Sequence, residues 1–139
     1  MKTPTVADYP LAETRADSLR GPRGLSLDEI TLDAVIEGRA GIEDLRITRA
    51  ALDAQAAIAR DAGRAALARN FERAAELIEV PQDIIMQTYE MLRPGRVASR
   101  SALVAHAGML RRDYGARQIA DFIERAAEVY ARRGVLADD

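Results

Sequence analysis

Apolar positions repeat at a helical period along most of this chain. Leu67, Phe71, Ala74 and Ile78 stand at i, i+4, i+7 and i+11, the spacing of one helix face rather than of a strand. Comparable stripes carry Leu52, Ala56 and Ala59; then Ile84, Ile85, Tyr89 and Leu92; then Leu103, Ala107, Leu110 and Tyr114; then Ile119, Ile123, Ala126 and Tyr130. The punctuation agrees with the stripes. Thr31 is placed to cap a short helix bearing Leu32, Val35 and Ile36, which stops at Gly38. Thr48 is placed to cap a longer one through about Ala62, and Pro81 suits the first turn of another. Ser99 or Ser101 opens the next, and Gly63, Gly115 and Gly134 break or end helices. No segment reads as a strand. The predicted fold class is all-α, a small open helical bundle of helix hairpins.

The first 30 residues differ. Pro4, Pro10, Pro22, Gly21 and Gly24 interrupt any period, yet Val6, Tyr9, Leu11, Leu19 and Leu25 punctuate them. A disordered tail is poorer in such residues. The expectation is an extended irregular N-terminal arm over residues 1–30, followed by a helical domain over 31–139. An apolar side chain on an aperiodic segment needs another surface to lie on. Tyr9, Pro10 and Leu11 are therefore the candidate subunit-interface residues, with Tyr9 as the anchor.

An internal echo links two regions. Asp61-Ala62-Gly63 precedes Glu72-Arg73-Ala74-Ala75-Glu76, and Asp113-Tyr114-Gly115 precedes Glu124-Arg125-Ala126-Ala127-Glu128 at the same interval. Two similar helix–Gly–helix units are one reading. Chance likeness between two Ala/Glu/Arg-rich helices is the other.

Composition narrows the chemistry. The 139 residues are one domain's worth of chain, with a formal net charge of −2. Lys2 is the only lysine, so the bases are almost all arginine, whose planar fork suits interface ion pairs. Acids and bases interleave, which leaves no one-sign basic face for nucleic acid. Cysteine is absent, excluding disulfides, thiolate nucleophiles and zinc–thiolate sites. Neither a secretory signal nor a bilayer-spanning stretch is visible, and a cytoplasmic location is expected.

No candidate active site emerges. His106, the single histidine, lies in a predicted helix without a partner to share a metal or to activate. Gly21-x-x-Gly24 and Gly38-x-x-Gly41 do not follow strands and read as turns. The pairs Glu72/Glu76 and Glu124/Glu128 lack the Glu-x-x-His spacing of bundle metal sites, so ion pairing with nearby arginines is the expected use. Phe71 and Phe122 are expected in the core. The residues alone describe a helical protein with a partner-seeking arm.

A collinear set of motifs goes further. Asp8-Tyr9-Pro10-Leu11-Ala12 is followed by Leu32-Asp33, Asp44-Leu45-Arg46-Ile47-Thr48 and Gln55-Ala56-Ala57-Ile58-Ala59-Arg60-Asp61-Ala62-Gly63-Arg64. Then come Leu67-Ala68-Arg69-Asn70-Phe71-Glu72-Arg73-Ala74-Ala75-Glu76-Leu77, Val80-Pro81 and Leu92-Arg93-Pro94. In order and spacing this set resembles the small (gamma) subunit of adenosylcobalamin-dependent diol and glycerol dehydratases. The resemblance implies a heterohexamer holding two each of large, medium and small subunits. It implies adenosylcobalamin and a metal ion bound by the other subunits, and radical conversion of a diol to an aldehyde and water. It also implies a non-catalytic small subunit that stabilises the assembly on the large one. Only seven residues precede Asp8, as in the glycerol type, whereas Asp61-Ala62-Gly63-Arg64 and Asn70-Phe71-Glu72-Arg73 look more like the diol type. Propanediol and glycerol both stay open, as does packaging in a bacterial microcompartment. The alternative class is a free-standing helical adaptor or regulator.

Overall fold

A computed structural model describes residues 2–138, and these contain no strand, only two isolated bridges, Arg20–Ser26 and Ser99–Ala137. Seven α-helices follow in order among them: α1 (Leu11–Thr14), α2 (Leu32–Ile36), α3 (Arg49–Asp61), α4 (Ala65–Leu77), α5 (Gln82–Leu92), α6 (Arg100–Tyr114) and α7 (Arg117–Arg133). The all-α expectation holds. The capping residues perform as their positions predict. Thr31 Oγ1 accepts from the Ala34 N–H at 3.1 Å, Thr48 Oγ1 from Ala51 at 3.2 Å and Ser99 Oγ from Ala102 at 3.3 Å. Gly63 and Gly115 adopt φ of +74° and +63°. The two echo glycines thus end α3 and α6 in the same left-handed way, which costs a residue with a Cβ far more.

The chain forms two compact units, residues 1–75 and 76–139. The first holds the N-terminal segment, α1 to α3 and most of α4. That segment is not extended among its described residues. Three 3-10 turns, Val6–Asp8, Ala16–Ser18 and Leu27–Glu29, join α1 within it. The physical reason is legible in Thr5-Val6-Ala7-Asp8 and Ser26-Leu27-Asp28-Glu29. In each, the acid reaches back to the N–H three residues earlier, at 2.8 Å for Asp8 to Thr5 and 2.7 Å for Glu29 to Ser26. A fourth 3-10 turn, Ile42–Leu45, closes likewise, with Asp44 Oδ2 accepting from Gly41 N–H at 2.9 Å.

The second unit carries the larger core. Leu103, Leu110 and Ile123 are fully enclosed there, and α6 packs lengthwise on α7. Ala107, Ala120 and Ala127 are buried with them and let the backbones approach. Arg111 of α6 clamps α7 from outside. Its guanidinium donates to both oxygens of Glu124, at 3.0 and 2.9 Å, and to Asp121 at 2.8 Å. The Glu124 and Asp121 carboxylates push the Arg111 pKa up, so the guanidinium stays charged.

Candidate subunit interface

Among the described residues the buried polar side chains are Asp44, Glu76 and His106, and each is engaged inside its own unit. Asp44 is gripped by Arg23, whose Nε donates at 2.9 Å and whose Nη2 also donates to the same carboxylate. Arg23 donates as well to the Arg39 carbonyl at 3.2 Å. The Arg23 guanidinium, with the Gly41 N–H, holds the Asp44 carboxyl below the usual carboxylate range. This clasp ties residues 39–45 to the loop around Arg23.

Glu76, like Glu72, is expected from the sequence to pair with nearby arginines. Only Glu72 behaves so, pairing with Arg60. Glu76 is buried, and its carboxylate accepts from the Gln118 N–H at 3.0 Å and the Ile119 N–H at 2.9 Å. It caps α7, whose own Ala116 has no side chain able to do so. His106 is buried too, with Nε2 2.6 Å from Thr88 Oγ1. Thr88 gives its one proton to the Ile84 carbonyl at 2.8 Å, so the imidazole N–H donates to the hydroxyl. Burial pushes the His106 pKa down and keeps the ring neutral.

Asp44, Glu76 and His106 are thus each spent on a partner within their own unit. No group of three or more metal-ligating side chains gathers among the described residues.

The N-terminal motif is held by its own acid. Asp8 accepts from the Thr5 N–H and from Arg15 Nε at 2.8 Å each, and these donors lower its pKa. The Val6 N–H reaches Asp61 Oδ2 at 2.9 Å and fixes the turn to the end of α3. Tyr9 is 63% exposed and Pro10 is exposed, whereas Leu11 is only 4% exposed. The three candidate residues are therefore divided: two face outward, and Leu11 belongs to the core of its own unit. An open apolar groove runs beside them, lined by Val6, Tyr9, Ile58, Ala62, Leu67 and Phe71.

The predicted stripes are turned at two helices. On α4, Ala68 and Ala75 are buried, while Leu67 and nearby Ile78 are each 38% exposed. On α2, Ala34 is buried, and Leu32, Val35 and Ile36 face out. Phe122, expected in the core, is 48% exposed on α7, and Tyr89 is exposed on α5. On α2 and α4, alanines point inward while several large residues point outward. Ten of the sixteen exposed large apolar residues among those described lie in the first unit. That unit thus has the thinner core and the stickier surface. Scattered exposed leucines need no explanation, but clustered ones mark interaction surfaces.

The chain is thus all-helical, its buried polar side chains are internally satisfied, and clusters of large apolar side chains are left on its surface. The chain belongs to the dehydratase small-subunit family, which it matches over residues 4–137. It is 42% identical to the propanediol dehydratase small subunit of Citrobacter freundii over 137 residues, covering 99% of this chain and 79% of that protein. It is also 42% identical to the propanediol dehydratase small subunit of Salmonella typhimurium over 134 residues, covering 96% of this chain and 77% of that one.

Proposed function

We propose that this chain is the non-catalytic small subunit of an adenosylcobalamin-dependent diol dehydratase, and that it stabilises the assembly by packing on the large subunit. The observation that carries the reading is the family match across nearly the whole chain. The internal engagement of Asp44, Glu76 and His106 supports it, because a catalytic group must be able to meet substrate. Propanediol, the substrate in the names of the two relatives, is the favoured substrate, with glycerol second. Bound by the other subunits, the coenzyme supplies the radical chemistry; this chain supplies surface. Residues 1–30 contribute to that surface through Tyr9 and Pro10, with Leu11 holding them in place.

The test is reconstitution. The purified chain with coenzyme and propanediol should give no aldehyde. Co-expressed with large and medium subunits, it should give aldehyde and co-purify with them. Turnover by the chain alone, or full activity and stability of the other subunits without it, would refute the proposal.

A further inference from the structure

The segment from Leu32 to Ile47 has the properties of a docking shelf. Leu32, Val35, Ile36, Ile42, Leu45 and Ile47 are between 52% and 74% exposed. Leu32, Val35 and Ile36 share one face of α2 at i, i+3 and i+4, and Ile42 and Leu45 eclipse one another at i, i+3 on a 3-10 turn. This exposure is built in. Ala34 and Ala40 are buried behind the shelf, with the Arg39 and Ala40 N–H groups both donating to the Ala34 carbonyl at 2.8 and 3.0 Å. The Asp44–Arg23 clasp holds the far end. A rigid surface loses little freedom on binding.

We infer that residues 32–47 form the principal contact for the large dehydratase subunit, through a complementary patch there that is aliphatic and poor in charge. This rests on the proposed function, in which the large subunit is the partner. Three pairs of charges bordering the shelf neutralise one another: Glu37 with Arg39, Glu43 with Arg46 at 3.1 Å, and Arg49 with Asp53 at 3.8 Å. These pairs ask for no counter-charge and leave exposed Asp33 as the one acid of the shelf outside them and outside the Asp44–Arg23 clasp, close to the charge-poor centre of protein interfaces. A standard interface takes about 800 Å² from each partner. Six aliphatic side chains, at roughly 60–120 Å² of apolar surface each, would supply from about half to about nine-tenths of that.

The test uses the co-expressed complex with an affinity-tagged large subunit. Leu32→Ser with Ile36→Ser, and Ile42→Ser with Leu45→Ser, should each weaken retention on the large subunit about a hundredfold with helical circular dichroism unchanged. The chain has no cysteine, so Ile36→Cys and Leu45→Cys each give it a unique thiol. Alkylation of either thiol in the assembled complex should be at least tenfold slower than after dissociation in urea, which decides the matter even if a serine variant misfolds. Unchanged retention, or thiols that label equally fast in the complex, would overturn the shelf. A wild-type chain held by the medium subunit but not by the large one would overturn the choice of partner, and shows itself before any variant is made.

Discussion

Four side chains show how much single residues decide. Glu76 satisfies two N–H groups at the start of α7 from 42 and 43 residues away in sequence. Glu76→Ala should destabilise the protein by about 1–3 kcal/mol, since it strands buried donors. Glu76→Gln should lose less, and denaturant midpoints measure both. His106 has its pKa lowered by burial, so the unfolded chain binds a proton more readily than the folded one. Its contribution to stability is complete above the ordinary histidine value of about 6.5 and is lost as pH falls below it. Unfolding free energies from pH 7 to 5 should therefore decline, and the decline should flatten in His106→Gln. That variant, assembled with its partners, should keep turnover within a few-fold. Asp44 and Asp8, with lowered values, add a second acid step below about pH 4, where their paired carboxylates must take up protons.

At the level of elements, caps and breaks were the most legible features. Thr31, Thr48, Ser99, Gly63 and Gly115 were all readable, because a cap depends on residues two or three positions away. Gly115→Ala should cost roughly 1–2 kcal/mol, the price of a Cβ in the left-handed region, and should shorten or fray α6 by circular dichroism. The 3-10 turns of the first 30 residues were equally local in origin, in Thr5 to Asp8 and Ser26 to Glu29. Proline and glycine content masked them, and a segment that coils looked extended. Which face of each helix is buried was less legible. In α4 the stripe Leu67, Phe71, Ala74 and Ile78 competes with Ala68 and Ala75. Hydrophobicity favours the former, yet the interior takes the alanines.

For the molecule as a whole, the candidate site separates into residues that serve this chain and residues left for another. Leu11→Ala should cost about 2–5 kcal/mol of the protein's own stability, as core truncations do. Tyr9→Ala should leave thermal stability nearly unchanged and instead weaken co-purification with the large subunit tenfold or more. If Tyr9→Ala melts the chain while Leu11→Ala spares it, the division between them is wrong. The two changes are close enough to couple, so each is best made alone.

Sequence alone determined the helices from α2 to α7, their approximate ends, the hairpin breaks and the family, because each rests on short-range spacing or on motifs in a fixed order. It also determined that cysteine chemistry is impossible. Only the tertiary structure decided that Ala34, Ala68 and Ala75 turn inward while Leu32, Ile36 and Leu67 turn outward, that Leu11 and Tyr9 part company, and that Glu76 caps a distant helix. The reason is physical. A helical period says that a face is apolar but not which surface will cover it. In a chain whose partners are other polypeptides, part of the covering surface is written in their sequences. Likewise Asp44 meets Arg23 across 21 residues and Glu76 meets Ile119 across 43, and no local pattern encodes a pairing that the fold alone brings together.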